Sequence, residues 1–176
     1  MAQNIGSPEG IALDRVNGRV YFNAASVSRG APPGGGPYDL MRSNLDGSDL
    51  RTLVGLHFED GRHERAKDIA VDPSLGDGDA DILISGVPSD TWVRFTKLYR
   101  NDDGVFTDIG AAFPAITASG DWGDYDGDGD LDIILCGRDH AQSGEVFVAD
   151  VYRNDGNGSF VAVNAALVGA QSSDVA

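Results

Sequence analysis

At 176 residues the chain can bury one sizeable domain core. Its 28 acidic against 13 basic residues, a formal charge of −15, argue against nucleic acid and anionic membranes as partners. No apolar run approaches the roughly 18 residues of a membrane span, Met1-Ala2-Gln3-Asn4 lacks the features of a signal peptide, and the lone Cys136 excludes an intrachain disulfide.

Glycine-rich turns recur between short β-branched segments, which predicts an all-β chain of hairpins. The first strand is Gly10-Ile11-Ala12-Leu13-Asp14, followed after a polar turn by Arg19-Val20-Tyr21-Phe22. A third strand runs through Leu40-Met41-Arg42-Ser43-Asn44, and Leu50 to Val54 closes the unit. The same order returns as Asp68-Ile69-Ala70-Val71-Asp72, Asp81-Ile82-Leu83-Ile84, Leu98-Tyr99-Arg100-Asn101 and Val105 to Ile109. It returns once more as Asp121-Trp122-Gly123-Asp124, Asp132-Ile133-Ile134-Leu135, Val151-Tyr152-Arg153-Asn154 and Ser159 to Val163. Asp14, Asp72 and Asp124 stand roughly 50 to 60 residues apart, as do Arg42, Arg100 and Arg153, which is the period of four-stranded propeller blades. The expected fold is therefore all-β, with antiparallel β-propeller blades at 5–57, 64–112 and 117–167 and the start of a fourth at 171–176. A closed propeller takes about four to eight blades. The expectation is thus a partial propeller, either a piece of a longer one or a ring closed by homo-oligomerisation.

Between the first two strands of the third unit lies Asp124-Tyr125-Asp126-Gly127-Asp128-Gly129-Asp130-Leu131-Asp132. Five carboxylates so close together repel one another unless a cation joins them. Ca²⁺ takes six to eight oxygens, and a tight glycine-containing loop can supply them. An EF-hand would need a bidentate Glu at position 12, where this chain has Leu135 inside the apolar run Ile133-Ile134-Leu135-Cys136. A strand-flanked loop can close the shell instead, with Asp124, Asp126, Asp128 and Asp132 giving carboxylates and Asp130 its backbone carbonyl. The alternative is a solvated acidic turn. Asp72, Asp77, Asp79 and Asp81 form a weaker second metal candidate, with Leu75 where a carboxylate is wanted. Asp14-Arg15-Val16-Asn17-Gly18 has too few oxygens to hold an ion.

The longer connections between second and third strands cover Ala25 to Tyr38, Pro88 to Phe95 and Arg138 to Gly144. In a propeller these cluster on the face opposite the acidic loop. They carry Arg29, Tyr38, Trp92, Arg94, Arg138 and His140, and aromatics and arginines on loops over a rigid scaffold suit a protein or glycan ligand. Packing against neighbouring blades is the plain alternative. Trp122 and Cys136, both within strands, read as core. His57, His63 and His140 stand in no nucleophile or zinc context, so no catalytic residue is expected.

At these residues the chain resembles known propeller repeats. Residues of about 96 to 165, with the Asp124–Asp132 loop followed by Val151-Tyr152-Arg153-Asn154-Asp155-Gly156-Asn157-Gly158-Ser159-Phe160, resemble the FG-GAP/VCBS repeat; Leu98-Tyr99-Arg100-Asn101-Asp102-Asp103-Gly104-Val105-Phe106 matches the same hairpin. Residues of about 5 to 57 resemble the YWTD/NHL type through Pro8-Glu9-Gly10-Ile11-Ala12-Leu13-Asp14 and Arg42-Ser43-Asn44-Leu45-Asp46-Gly47. The first resemblance implies integrin-α-like blades with Ca²⁺ in the loop between strands one and two, in an extracellular or cell-surface protein. The expected function is a calcium-binding scaffold for adhesion or ligand binding. The alternatives are a propeller-class enzyme of lactonase or polysaccharide lyase type, or a lectin-like carbohydrate-binding module.

Overall fold

Short apolar runs rich in β-branched residues and bounded by polar turns favour strands. The computed structural model describes residues 10–25, 38–56, 64–72, 79–88, 94–139 and 146–169, and no helix occurs among them. The strands are β1 (Ile11–Asp14), β2 (Arg19–Ala25), β3 (Tyr38–Asn44), β4 (Arg51–Leu56), β5 (Glu64–Asp72), β6 (Asp81–Pro88), β7 (Phe95–Asp102), β8 (Val105–Asp108), β9 (Thr117–Gly123), β10 (Asp132–Asp139), β11 (Val146–Asn154) and β12 (Phe160–Ala162). They form three four-stranded antiparallel sheets in simple sequential order, β1 to β4, β5 to β8 and β9 to β12. This is the up-and-down architecture of propeller blades. The segment 171–176, read as the start of a fourth repeat, lies outside the described residues.

The second sheet packs through both faces. In the second sheet Ile82, Ile84 and Tyr99 pack with Tyr21 and Leu40 of the first. The intervening Leu83, with Ala70 and Leu98, packs with Ile133, Leu135 and Tyr152 of the third. The strand pleat thus divides one apolar run between two cores, each sealed between adjacent sheets. Trp122 packs against the second core, its ring 6.3 Å from that of Phe160, and Cys136 is buried, as their strand positions imply.

Polar groups stitch the second and third sheets together. Ser85 Oγ donates to the carbonyl of Ala118, whose own N–H returns to Ser85 Oγ at 3.1 Å. The Gly120 N–H donates to Asp68 at 3.1 Å. These bonds depend on a longer β9 than sequence predicts. It begins at Thr117, not Asp121, because Thr117-Ala118-Ser119-Gly120 pairs with Leu135 to Arg138 despite its weak apolar pattern. A side chain at Gly120 would meet Leu83 at 2.6 Å and Leu135 at 3.0 Å. Gly120→Val should therefore overpack this interface and cost about 1–3 kcal/mol in a urea melt, whereas Gly123→Val, with open space around it, should cost far less.

Candidate metal centre

The loop between β9 and β10 brings three carboxylates to one point. Asp124, Asp126 and Asp128 each present an oxygen within 4.8 Å of the others, and all three are exposed. The chain can turn this tightly because Gly127 and Gly129 take φ of +78° and +96°, which side-chain-bearing residues rarely adopt. Asp124 Oδ1 accepts the Gly127 N–H at 2.7 Å, and Asp128 Oδ1 accepts that of Asp130 at 2.9 Å. The crowding has an electrostatic cost. The Asp126 carboxyl is held above the ordinary carboxylate range, first by desolvation and then by the charge of Asp128. A hard divalent cation suits these donors, since it accepts oxygen ligands and cancels the repulsion.

Asp132 and Asp130 sit differently. Asp132 is buried, and its two oxygens accept the backbone N–H groups of Asn154 and Tyr125, each at 2.8 Å. Asn154, also buried, donates from Nδ2 to the Leu131 carbonyl at 3.2 Å and accepts the Gly156 N–H at 3.0 Å. The loop exit is thereby latched to the β11–β12 hairpin. The Asp130 side chain lies beside that hairpin, where a side chain at Gly156 would come within 2.6 Å of its Oδ2. Its carboxylate is not one of the three that converge.

The second sheet repeats the latch. Buried Asp81 accepts the Asn101 N–H at 2.9 Å, while Asn101 donates to the Ala80 carbonyl at 3.2 Å and accepts the Gly104 N–H at 2.8 Å. Asp79 accepts the Asp103 N–H, just as Asp130 approaches Gly156. The equivalence corrects the phasing of the second metal candidate. Asp72 pairs with Asp81 and Gly123 pairs with Asp132, with eight residues between the partners in both cases. Fully buried Asp72 is thus the counterpart of Gly123, not of Asp124. The positions of Asp124 and Asp126 fall to Pro73 and Leu75, neither of which offers a carboxylate. Asp77, the counterpart of Asp128, lies outside the described residues. In the first sheet Asp14 is buried and accepts both the backbone N–H and Nδ2 of Asn17 at 2.8 Å, closing its own four-residue turn.

The arginine markers hold ion pairs, with Arg100 and Arg153 exposed and Arg42 largely buried. Arg153 meets Asp155 and Arg100 meets Asp102, both at 2.9 Å, and Arg42 meets Asp49 at 2.6 Å. At the other end of the sheets Arg94 donates to Thr117 at 2.9 Å. Burial first, and then the nearby charge of Arg138, hold its guanidinium below the usual arginine range. Thr117 in turn pairs with Arg138 across β9 and β10, which places Arg94 and Arg138 at the same end of the third sheet. Tyr38 begins β3, opposite Ala25 and Leu56, while Trp92 and His140 lie outside the described residues. The latching asparagines, Asn101 and Asn154, were missed by sequence reasoning. Their signal was there: each follows its marker arginine directly, and a buried amide at a fixed place in a repeat implies a fixed partner.

The FG-GAP-like repeat family matches residues 75–135, about a third of the chain, from the connection after β5 to the middle of β10. The match takes in the acidic loop and the core of the second sheet. No curated protein matches the chain.

Proposed function

We propose that this chain is a calcium-stiffened segment of a β-propeller, serving as a scaffold for adhesion or for binding a protein or glycan. The observation that carries the reading is the meeting of Asp124, Asp126 and Asp128 on a loop whose exit is latched by Asp132 and Asn154. Asp124, Asp126 and Asp128 would hold the ion through their side chains and Asp130 through its carbonyl, with Asp132 closing the loop beneath them. Repeats similar to FG-GAP often bind Ca²⁺ and typically act as non-catalytic modules of extracellular or surface proteins, which supports the same reading. No helix among the described residues is long and apolar enough to cross a membrane.

The ligand face in this reading lies at the far end of the blades, around Arg94 and Arg138, together with Tyr38, Trp92 and His140. Ile11 and Leu13 of the first sheet and Val161 of the third remain exposed. Further blades, or a second copy of the chain, would cover such strands in a closed ring.

A thermal melt tests the calcium assignment. At about a hundredfold excess over its dissociation constant Ca²⁺ stabilises a protein by about 2.7 kcal/mol. For a chain of this size that raises Tm by about 5–11 °C over the EDTA value. Mg²⁺ should give less, since it demands near-octahedral geometry and sheds water reluctantly. Equal melts in calcium and EDTA would remove the proposal.

A further inference from the structure

We propose that the cleft between the first and second sheets, at the end of the blades that carries the turns and the acidic loop, binds an oxyanion ester on a hydroxylated small molecule, such as a sulfated sugar. The cleft measures about 610 Å³, and Arg19, Tyr21, Arg42, Asp49 and Arg51 are among the residues on its first-sheet side. Three of only 13 basic residues gather on this wall against one acid, Asp49, in a protein of charge −15, so the wall itself is cationic while Asp79 and Asp103 balance it from the other side.

Two donors at this wall lack acceptors. The Tyr21 hydroxyl, on a side chain with no exposed surface, and Arg42 Nε are both buried without a hydrogen-bond partner among the described residues. Buried polar groups are almost always paired, because leaving them dry forfeits their hydration with no return. Arg42 and Arg51 each give one terminal nitrogen to Asp49, which leaves their other donors available. Arg19 has no ion-pair partner among the described residues. Guanidinium groups present forks of donors that match the oxygens of sulfate, phosphate or carboxylate.

The matching cleft between the second and third sheets serves as an internal comparison. It measures about 490 Å³ and has Arg100 as its one arginine, with Asp81, Asp130 and Leu98 around it. The cationic wall is therefore particular to the first cleft and does not follow from the repeat. The facing wall of the first cleft carries Asp79, Asn101 and Asp103. These groups repel a bare anion yet accept hydrogen bonds from hydroxyls, and the cleft is larger than a single oxyanion. The arginine wall would hold the ester while the opposite wall takes hydroxyl protons.

Calorimetric titration of the whole chain in EDTA, at constant ionic strength, tests this with sodium sulfate, glucose 6-sulfate and glucose as probes. Glucose 6-sulfate should bind, sulfate more weakly, and glucose not at all. Arg19→Ala and Tyr21→Phe should each weaken glucose 6-sulfate by about tenfold or more, while Arg100→Ala, in the matching cleft, should leave it unchanged. Sulfate binding as tightly as the sugar ester would overturn the hydroxylated ligand and leave a site for the free ion. No binding of either, or equal losses in Arg19→Ala and Arg100→Ala, would overturn the site itself.

Discussion

Asp132→Ala should be among the most damaging single substitutions in the chain. The side chain is 1% exposed and takes two backbone N–H groups, those of Tyr125 and Asn154. Hydrogen bonds to a charged group are worth about 1.5–3 kcal/mol each, and a buried donor left without a partner adds its desolvation cost. We expect a loss of about 3–5 kcal/mol by urea denaturation, which corresponds to roughly 6–20 °C in Tm for a chain of this length. The loss should appear in EDTA as fully as in calcium, because the latch does not require the ion. Asp155→Ala is the comparison. It removes an exposed ion pair with Arg153, and such pairs contribute about 0–1 kcal/mol. If the two variants melted alike, the latch would not be what ties the loop to its hairpin.

Asp126→Asn should have effects of opposite sign with and without calcium. In the ion-free protein the Asp126 carboxyl sits above its ordinary value, through desolvation and the charge of Asp128. A raised folded-state value means that the ionised loop opposes folding at neutral pH. The penalty is fully present above the folded-state value and fades as pH falls through it, since the folded form takes up its proton before the unfolded chain does. Removing the charge removes the penalty, so the variant in EDTA at pH 7 should melt somewhat above the parent. With calcium the order reverses. A rise of about 5–11 °C in the parent should shrink to within about 1 °C in the variant, because one of three converging carboxylates is gone. A variant that melts lower in EDTA and keeps its calcium response would contradict both the repulsion and the ligand role.

The strand plan was legible because its signal is local. Runs such as Asp81-Ile82-Leu83-Ile84 show β-branching and apolar continuity within a few residues, and their burial on both faces follows from sheets on either side. The acidic loop was legible for the same reason, since its carboxylates are neighbours in the chain. Pairing was harder to read. Aligning Asp72 with Asp124 looked natural from their places at strand ends, yet the register puts Asp72 against Asp81 and shifts the repeat by one residue. A shift of one changes which residues could meet an ion, and with it the case for a second site. The start of β9 was missed because Ala118 and Gly120 pack through smallness, and smallness leaves no apolar pattern. Nor could the double use of Asp132 be read, because its partner Asn154 comes from a hairpin that only the sheet brings near.

The central claim is that one loop, and not its degraded counterparts, holds calcium. Its most direct test is a calcium titration of the whole chain by isothermal calorimetry. One ion per chain is expected, falling to none in Asp126→Ala/Asp128→Ala while Asp79→Ala keeps the full stoichiometry. Two ions of similar affinity, or one that survives the double substitution, would contradict the account.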